Sequence, residues 1–274
     1  MLKVAVTGPN GLIGSRIIKL LGSSFNFIPL LHTDFDIANR DQVLNKINSL
    51  DFDIVLHLAG YTNVEGAESD KNIAYQINVE GTKHIFEAVQ NRNKQMIYIS
   101  TDFVFDGKNP PFFEDSVPNP IGYYGFTKYE GEKIVQDKAM IVRISYPYGN
   151  PDSKKPDFVM RLKHLLEVGQ ELKMMQDASI TPTFIDDIAV ALKHLMTNYK
   201  PELYHMVGSQ SFSPFDAGKM IAKQFKLNEE LIKPISFAEY ETGKAPRPQF
   251  SEIKSKKNDF YQMKSFNEGI KHLT

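Results

Sequence analysis

Two clusters in this 274-residue chain have the residue types and spacing to do chemistry. Tyr124 and Lys128 are four apart in a helical pattern that begins near Gly122, so they stack one turn above the other on one helix face. A phenol titrates near a pKa of about 10, and an adjacent ammonium favours the phenolate, moving it toward neutral pH. Such a pair is a proton donor with its own tuner. Thr101, at the end of an apolar run, offers a second hydrogen bond to a substrate carbonyl. The other cluster is Gly8-Pro9-Asn10-Gly11-Leu12-Ile13-Gly14, which lies directly between a strand pattern and a helix pattern. Glycines in that position allow a tight turn and close helix–strand packing, and a pyrophosphate can rest on the open N–H groups of the helix.

Elements must bring these residues together. Leu2–Thr7, Phe27–Leu31, Asp53–Leu58, Met96–Ile99, Met140–Ile144 and Leu203–Val207 read as short buried strands, separated by helical patterns. That alternation predicts an α/β fold, a Rossmann-type doubly wound parallel sheet whose ligands lie at the carboxyl ends of the strands. Gly8, Leu58, Ala59, Gly60, Tyr61, Ser100, Thr101 and Ser145 all fall at or just beyond such ends. Ala59 and Gly60 are small enough for a dinucleotide backbone to pass over them. Asp36-Ile37 either contacts an adenine or lets Asp36 cap a helix beginning near Arg40. Ile73–Val89 reads as one long helix, and Glu65 and Glu68 as its solvated acidic approach. The helix carrying Tyr124 tolerates Gly122, Gly125 and Gly131, each costing roughly 1 kcal/mol against alanine. Something must therefore approach its backbone closely.

Composition narrows the partners. Lys plus Arg number 32 against 33 Asp plus Glu, a net charge of −1 that gives no electrostatic reason to expect nucleic acid. Cysteine is absent, so no disulfide framework or thiolate metal site exists, and His57 reads as a core histidine rather than a ligand. The first residues form a strand pattern without signal-peptide layout, and no apolar run reaches membrane-spanning length. The expectation is a cytoplasmic protein with no membrane partner. No acid stands at His32 or Thr33, where a carboxylate would hold the 2′-hydroxyl of NADH and repel the 2′-phosphate of NADPH. NADPH, or both cofactors, is expected.

GPNGLIG, LAGYTNVEGAE, YISTDFVFDG, YYGFTKYEGE, RISYPYG, TPTFIDDIA and RPQFS together resemble the extended short-chain dehydrogenase/reductases, and within them the dTDP-4-dehydrorhamnose reductase family. The resemblance implies NAD(P)H-dependent reduction of the 4-keto group of a nucleotide-linked 6-deoxy sugar, with Tyr124 as acid, Lys128 its partner and Thr101 orienting the substrate. It implies a cofactor side of Gly8, Asn10, Gly11, Leu12, Ile13, Gly14, Asp36, Ile37, Leu58, Ala59, Gly60, Tyr61, Ser100, Tyr124 and Lys128. Its substrate side is Thr101, Asp102, Val104, Tyr148 and Arg247. Residues 1–150, with about 181–226 returning to them, would form the cofactor domain, and 151–180 with 227–274 the substrate part; a homodimer is compatible. Where the family often reads VDKAE, this chain has Val64-Glu65-Gly66-Ala67-Glu68, without the lysine. Related readings are an epimerase or dehydratase, or a regulatory subunit resembling the methionine adenosyltransferase β subunit. Dehydratases carry Thr-Asp-Glu where Phe103 follows Thr101-Asp102 here, so the resemblance argues against elimination.

Overall fold

The computed structural model describes residues 1–273. The chain runs through β1 (Lys3–Thr7), α1 (Leu12–Leu21), β2 (Asn26–Leu30), α2 (Arg40–Asn48), β3 (Ile54–His57), α3 (Val64–Ser69) and α4 (Lys71–Tyr75). A π-helical segment, Gln76–Glu80, leads into α5 (Gly81–Asn91), β4 (Gln95–Thr101), α6 (Tyr123–Val135), β5 (Met140–Ile144) and β6 (Pro147–Tyr148). Then come α7 (Phe158–Glu167), β7 (Leu172–Met175), β8 (Thr183–Phe184), α8 (Ile185–Thr197), β9 (Leu203–His205), α9 (Pro214–Gln224), β10 (Ile232–Ile235), α10 (Phe237–Glu241) and α11 (Phe266–Lys271).

Six strands form one parallel sheet in the order β2-β1-β3-β4-β5-β9. Its strands are apolar on both sides because helices cover both faces. Val4, Val6, Leu56, Ile97, Ile99 and Val142 pack against α1 and α8, while Ala5, Val55, Met96, Tyr98 and Ile141 pack against α2, α5 and the end of α6. The order reverses between β1 and β3, so the crevice of a doubly wound sheet opens above those two strand ends. The sheet and its flanking helices are thus the expected α/β architecture. The smaller part packs α7 and α9 on the two-stranded sheet β7–β10, around Leu166, Leu172, Ala222 and Ile232. Only α8 and β9 return to the main sheet; α9, within the stretch 181–226 expected to return, packs with α7 and β7 instead.

Two local readings are corrected and a third is extended. The helix over 73–89 is interrupted at Gln76–Glu80, where the backbone widens by a residue per turn. That bulge lets Asn78, only 1% exposed, reach two elements: its Oδ1 accepts the Tyr61 N–H at 2.7 Å, and its Nδ2 donates to Thr127 Oγ1 at 2.9 Å. The α2 cap is Asn39, whose side chain accepts the Gln42 N–H; the Asp36 carboxylate instead accepts the Ala38 N–H within its own turn. Glu65 is half exposed and Glu68 partly so, as a solvated approach would be, yet both also bond backbone of other segments.

The glycines of α6 have the close neighbours their helix cost implied. A Cβ at Gly125 would strike the Phe103 carbonyl oxygen, and one at Gly131 the Tyr98 hydroxyl. Both obstacles belong to β4 or the turn after it, so α6 lies closer to that strand end than any side chain would permit. Gly125→Ala should therefore lower stability by about 1–3 kcal/mol, the usual cost of overpacking. Chemical denaturation tests this, and a midpoint equal to that of the parent would show that the contact is loose.

Candidate active site

The glycine turn begins at Gly8, whose φ of 67° lies in the left-handed region. Its carbonyl accepts the Gly11 N–H at 3.1 Å, and Gly11 caps α1 without any side chain, leaving the first N–H groups of the helix open. A Cβ on Gly14 would strike the Gly8 carbonyl, and one on Gly8 would come within 2.9 Å of the Ala59 nitrogen. The turn is therefore pressed against the end of β3. Thr7 stitches the two strands: its hydroxyl oxygen accepts the N–H groups of Leu58 and Ala59, both at 3.1 Å, and so turns its proton to His57 Nδ1 at 2.7 Å. Burial, and then the charge of Lys128, push His57 down to about 3, which keeps it a neutral core residue as expected.

A cavity of about 740 Å³ extends from this turn across the ends of β3, β4 and β5. Its middle is lined by Ser100, Thr101, Asp102, Tyr124 and Lys128, and its far end by Tyr146 and Arg247. A smaller slot of about 170 Å³, walled by Leu30, Phe35, Ile37, Ala59 and His32, opens on the other side of the turn. Lys128 Nζ donates to the Ile99 carbonyl at 2.8 Å and lies 4.1 Å from the centre of the Tyr98 ring. Burial lowers its pKa to about 7, opposed by Glu132 one turn further along α6. Glu132 in turn grips Arg143 through two bonds of 2.8 and 2.6 Å. Tyr124 meets the edge of Phe103 at 5.6 Å between ring centres. Burial raises the Tyr124 hydroxyl to about 12; the facing Thr101 hydroxyl works against this and the Asp102 charge adds to it.

This departs from the expected tuning, in which Lys128 moves the phenol toward neutral pH. Desolvation acts on both groups, disfavouring the phenolate and the ammonium together. A lysine near half charge is a weak tuner, so Tyr124 is governed by its own burial. Asp102 is displaced in the same sense. Its carboxylate accepts from Thr101 Oγ1 at 3.1 Å and Ser145 Oγ at 2.8 Å, yet burial outweighs these bonds and raises it to about 6. Ser100 Oγ is buried at the cavity wall with no hydrogen-bond partner among the described residues, a polar atom in want of a ligand.

The cavity wall brings together Gly8, Asn10, Gly11, Leu12, Ile13, Gly14, Leu58, Ala59, Gly60, Ser100, Thr101, Asp102, Tyr124, Lys128 and Arg247, with Ile37 in the slot. Four expected site residues lie elsewhere. Asp36 is outside the slot lining, its carboxylate held by its own turn. The Tyr61 hydroxyl donates to Asp70 and crowds Gly66, so a side chain at the position of the missing lysine would require Tyr61 and Asn63 to shift. Val104 is fully buried with Phe105, Phe112, Val207 and Ile253. Tyr148, 1% exposed, packs among Phe184 and Phe266. The cavity residue of that segment is Tyr146, missed because its φ of 40° reverses the chain after β5 and sends Tyr148 into the core. The residues 153–156 and Phe103 also reach the cavity, and nothing in their types marked them for it.

Comparison with known proteins agrees with this geometry. The family model for the RmlD substrate-binding domain matches residues 2–274. The chain belongs to that family. The dTDP-4-dehydrorhamnose reductase of Sinorhizobium fredii is 31% identical over 273 residues, covering 92% of this chain and 88% of that protein. The crystal structure of the Bacillus anthracis dTDP-4-dehydrorhamnose reductase in complex with NADP superposes with a TM-score of 0.91 at 32% identity, covering 98% and 97%. A subunit beta of methionine adenosyltransferase 2 from Xenopus tropicalis is 25% identical over 98% of this chain and 86% of its own.

The elevated Asp102 pKa has a definite consequence for stability. Folded Asp102 binds its proton up to about pH 6, whereas the unfolded side chain releases it near 3.8. Between those values the folded state holds more protons, so stability falls as pH rises through that window, by at most about 3 kcal/mol. Asp102→Asn should remove that slope. Parallel unfolding curves for parent and variant at pH 4, 5, 6 and 7 check it; a difference that does not change over this range would show that Asp102 ionises normally.

Proposed function

We propose that this chain is an NAD(P)H-dependent oxidoreductase that reduces the 4-keto group of a nucleotide-linked 6-deoxy sugar. The observation that carries the reading is the convergence of Thr101, Tyr124 and Lys128 on one cavity that continues into the glycine turn. The described residues suit a dinucleotide. The open N–H groups of α1 and the side-chain-free turn fit its diphosphate, the apolar slot by Ile37 and Ala59 its adenine, and the orphan Ser100 hydroxyl and Lys128 its nicotinamide end. When bound, the reduced nicotinamide supplies the hydride. Thr101 turns its single hydroxyl proton from Asp102, to which it otherwise donates, to the sugar carbonyl oxygen, and Tyr124 delivers its phenolic proton to that oxygen as the alkoxide develops. With a pKa of about 12, Tyr124 holds that proton throughout the physiological range. Lys128 stabilises the phenolate left behind. The smaller part, 151–180 and 227–274 together with α9, forms the substrate side with Arg247 at its edge.

NADPH is the favoured cofactor, since Asp34 and Asp36, on either side of Phe35 in the slot, accept the N–H groups of Leu31 and Ala38, and His32 lines the slot. A reduced cofactor and a nucleotide-activated sugar suit a cytoplasmic protein, and among the described residues no helix is long and apolar enough to cross a membrane. Elimination is disfavoured because Phe103, against the ring of Tyr124, has no proton to give or accept.

Following NADPH absorbance with a dTDP-4-keto-6-deoxy sugar tests the proposal: one cofactor oxidised per sugar reduced. Tyr124→Phe should lower kcat by about 10²–10⁴-fold, the usual share of general acid catalysis, with NADPH affinity retained. No NADPH oxidation by the parent would leave a regulatory subunit as the better reading, and a keto sugar formed from dTDP-glucose and NAD⁺ would make it a dehydratase.

A further inference from the structure

Helix α3 carries two carboxylates three residues apart, on neighbouring positions of one face. Each is committed to a different wall of the cavity. Glu68 Oε1 accepts the Tyr123 N–H at 2.6 Å. That N–H is the first of α6, and the α6 cap, Gly122, has no side chain to satisfy it. Glu68 thus caps from outside the helix that presents Tyr124, and its charge complements the positive helix end. Glu65 Oε2 accepts the Ala245 N–H at 2.7 Å, and Oε1 pairs with Arg247 Nη2. Arg247 is held further by its Nε donating to the Ala245 carbonyl at 3.3 Å and Nη1 to the Tyr240 hydroxyl at 3.4 Å. Three of five guanidinium N–H groups are engaged this way, leaving two for an anion in the cavity that Arg247 lines. The two walls touch: a Cβ on Gly122 would strike the Pro246 carbonyl.

We propose that Glu65 and Glu68 are positioning residues that use α3 as a spacer, setting the span between the Arg247 guanidinium and the Tyr124 hydroxyl. The span selects ligands in which an anionic group and a ketone are separated by a fixed length, as in a sugar joined to a nucleoside diphosphate. This rests on the reductase reading above. A guanidinium aimed before the ligand arrives loses less freedom on binding, so the effect of Glu65 falls on affinity. Glu68 orients the acid, so its effect falls on turnover.

The test uses Glu65→Ala and Glu68→Ala, both in a partly exposed helix where folding is not at stake. Glu65→Ala should raise KM for the dTDP-keto sugar about five- to tenfold, the scale of one charge-assisted bond, with kcat within about twofold and KM for NADPH unchanged. In an Arg247→Ala background the same change should add little, because the two residues act through one guanidinium. Glu68→Ala should lower kcat several-fold at nearly constant KM. Hydrogen–deuterium exchange supplies a readout free of substrate: peptides spanning 244–248 should exchange faster in Glu65→Ala, and those at the start of α6 faster in Glu68→Ala. Additive effects of Glu65→Ala and Arg247→Ala, or unchanged exchange in both segments, would overturn the proposal. Faster exchange in these variants of a parent that proves inactive would support the spacer and count instead against the reductase reading.

Discussion

The close approach of α6 to the end of β4 is the constraint from which the rest of this structure follows. It brings the Lys128 ammonium onto the Ile99 carbonyl and the Tyr98 ring, and places the Tyr124 phenol opposite Thr101 on the adjoining strand end. The approach exists because Gly125 and Gly131 offer no side chain to the Phe103 carbonyl and the Tyr98 hydroxyl. Tyr98 returns the contact by donating to the Lys128 carbonyl at 3.2 Å. The helix gives up propensity at these glycines and gains a backbone-to-strand distance that no alanine would allow.

Burial at that contact sets the electrostatics of the site. Tyr124, Lys128 and Asp102 are all shifted toward their neutral forms, and for each the leading cause is desolvation. The counterweight is the buried Glu132–Arg143 pair, 3–4% exposed, whose carboxylate holds the Lys128 pKa up. Breaking such a pair by removing one partner typically costs about 3–5 kcal/mol, because the other charge is then stranded. The proton-handling residues therefore lean on an ion pair that never reaches the cavity.

Two links fasten α1 to segments far away in the sequence. Asn150 donates to the Leu12 carbonyl at 2.7 Å and to Ser15 Oγ at 2.9 Å, fastening the crossover to α1. Arg16 grips Asp186 at the start of α8 through two bonds of 2.7 Å. With Asn78 bridging the β3 loop to α6, these contacts make one wall of segments distant in sequence.

The sequence by itself determined the six strands of the main sheet, the doubly wound class, the glycine turn and the stacking of Tyr124 on Lys128. These depend on periodicity and on spacing within one or two helical turns, which are local properties. The core histidine at 57 was legible for the same reason, as a polar residue inside an apolar run. Tertiary structure alone decided which side chain of a segment faces the cavity and what its environment does to it. Tyr146 rather than Tyr148 lines the site because one residue adopts a positive φ, and Val104 is core because Phe112 and Ile253 close over it. The π segment at Gln76–Glu80, the engagement of Glu65 and Glu68, and the upward shift of Tyr124 all depend on partners 17 to 182 residues away. Desolvation is the sum of everything packed around a group, and no spacing within a single segment encodes it.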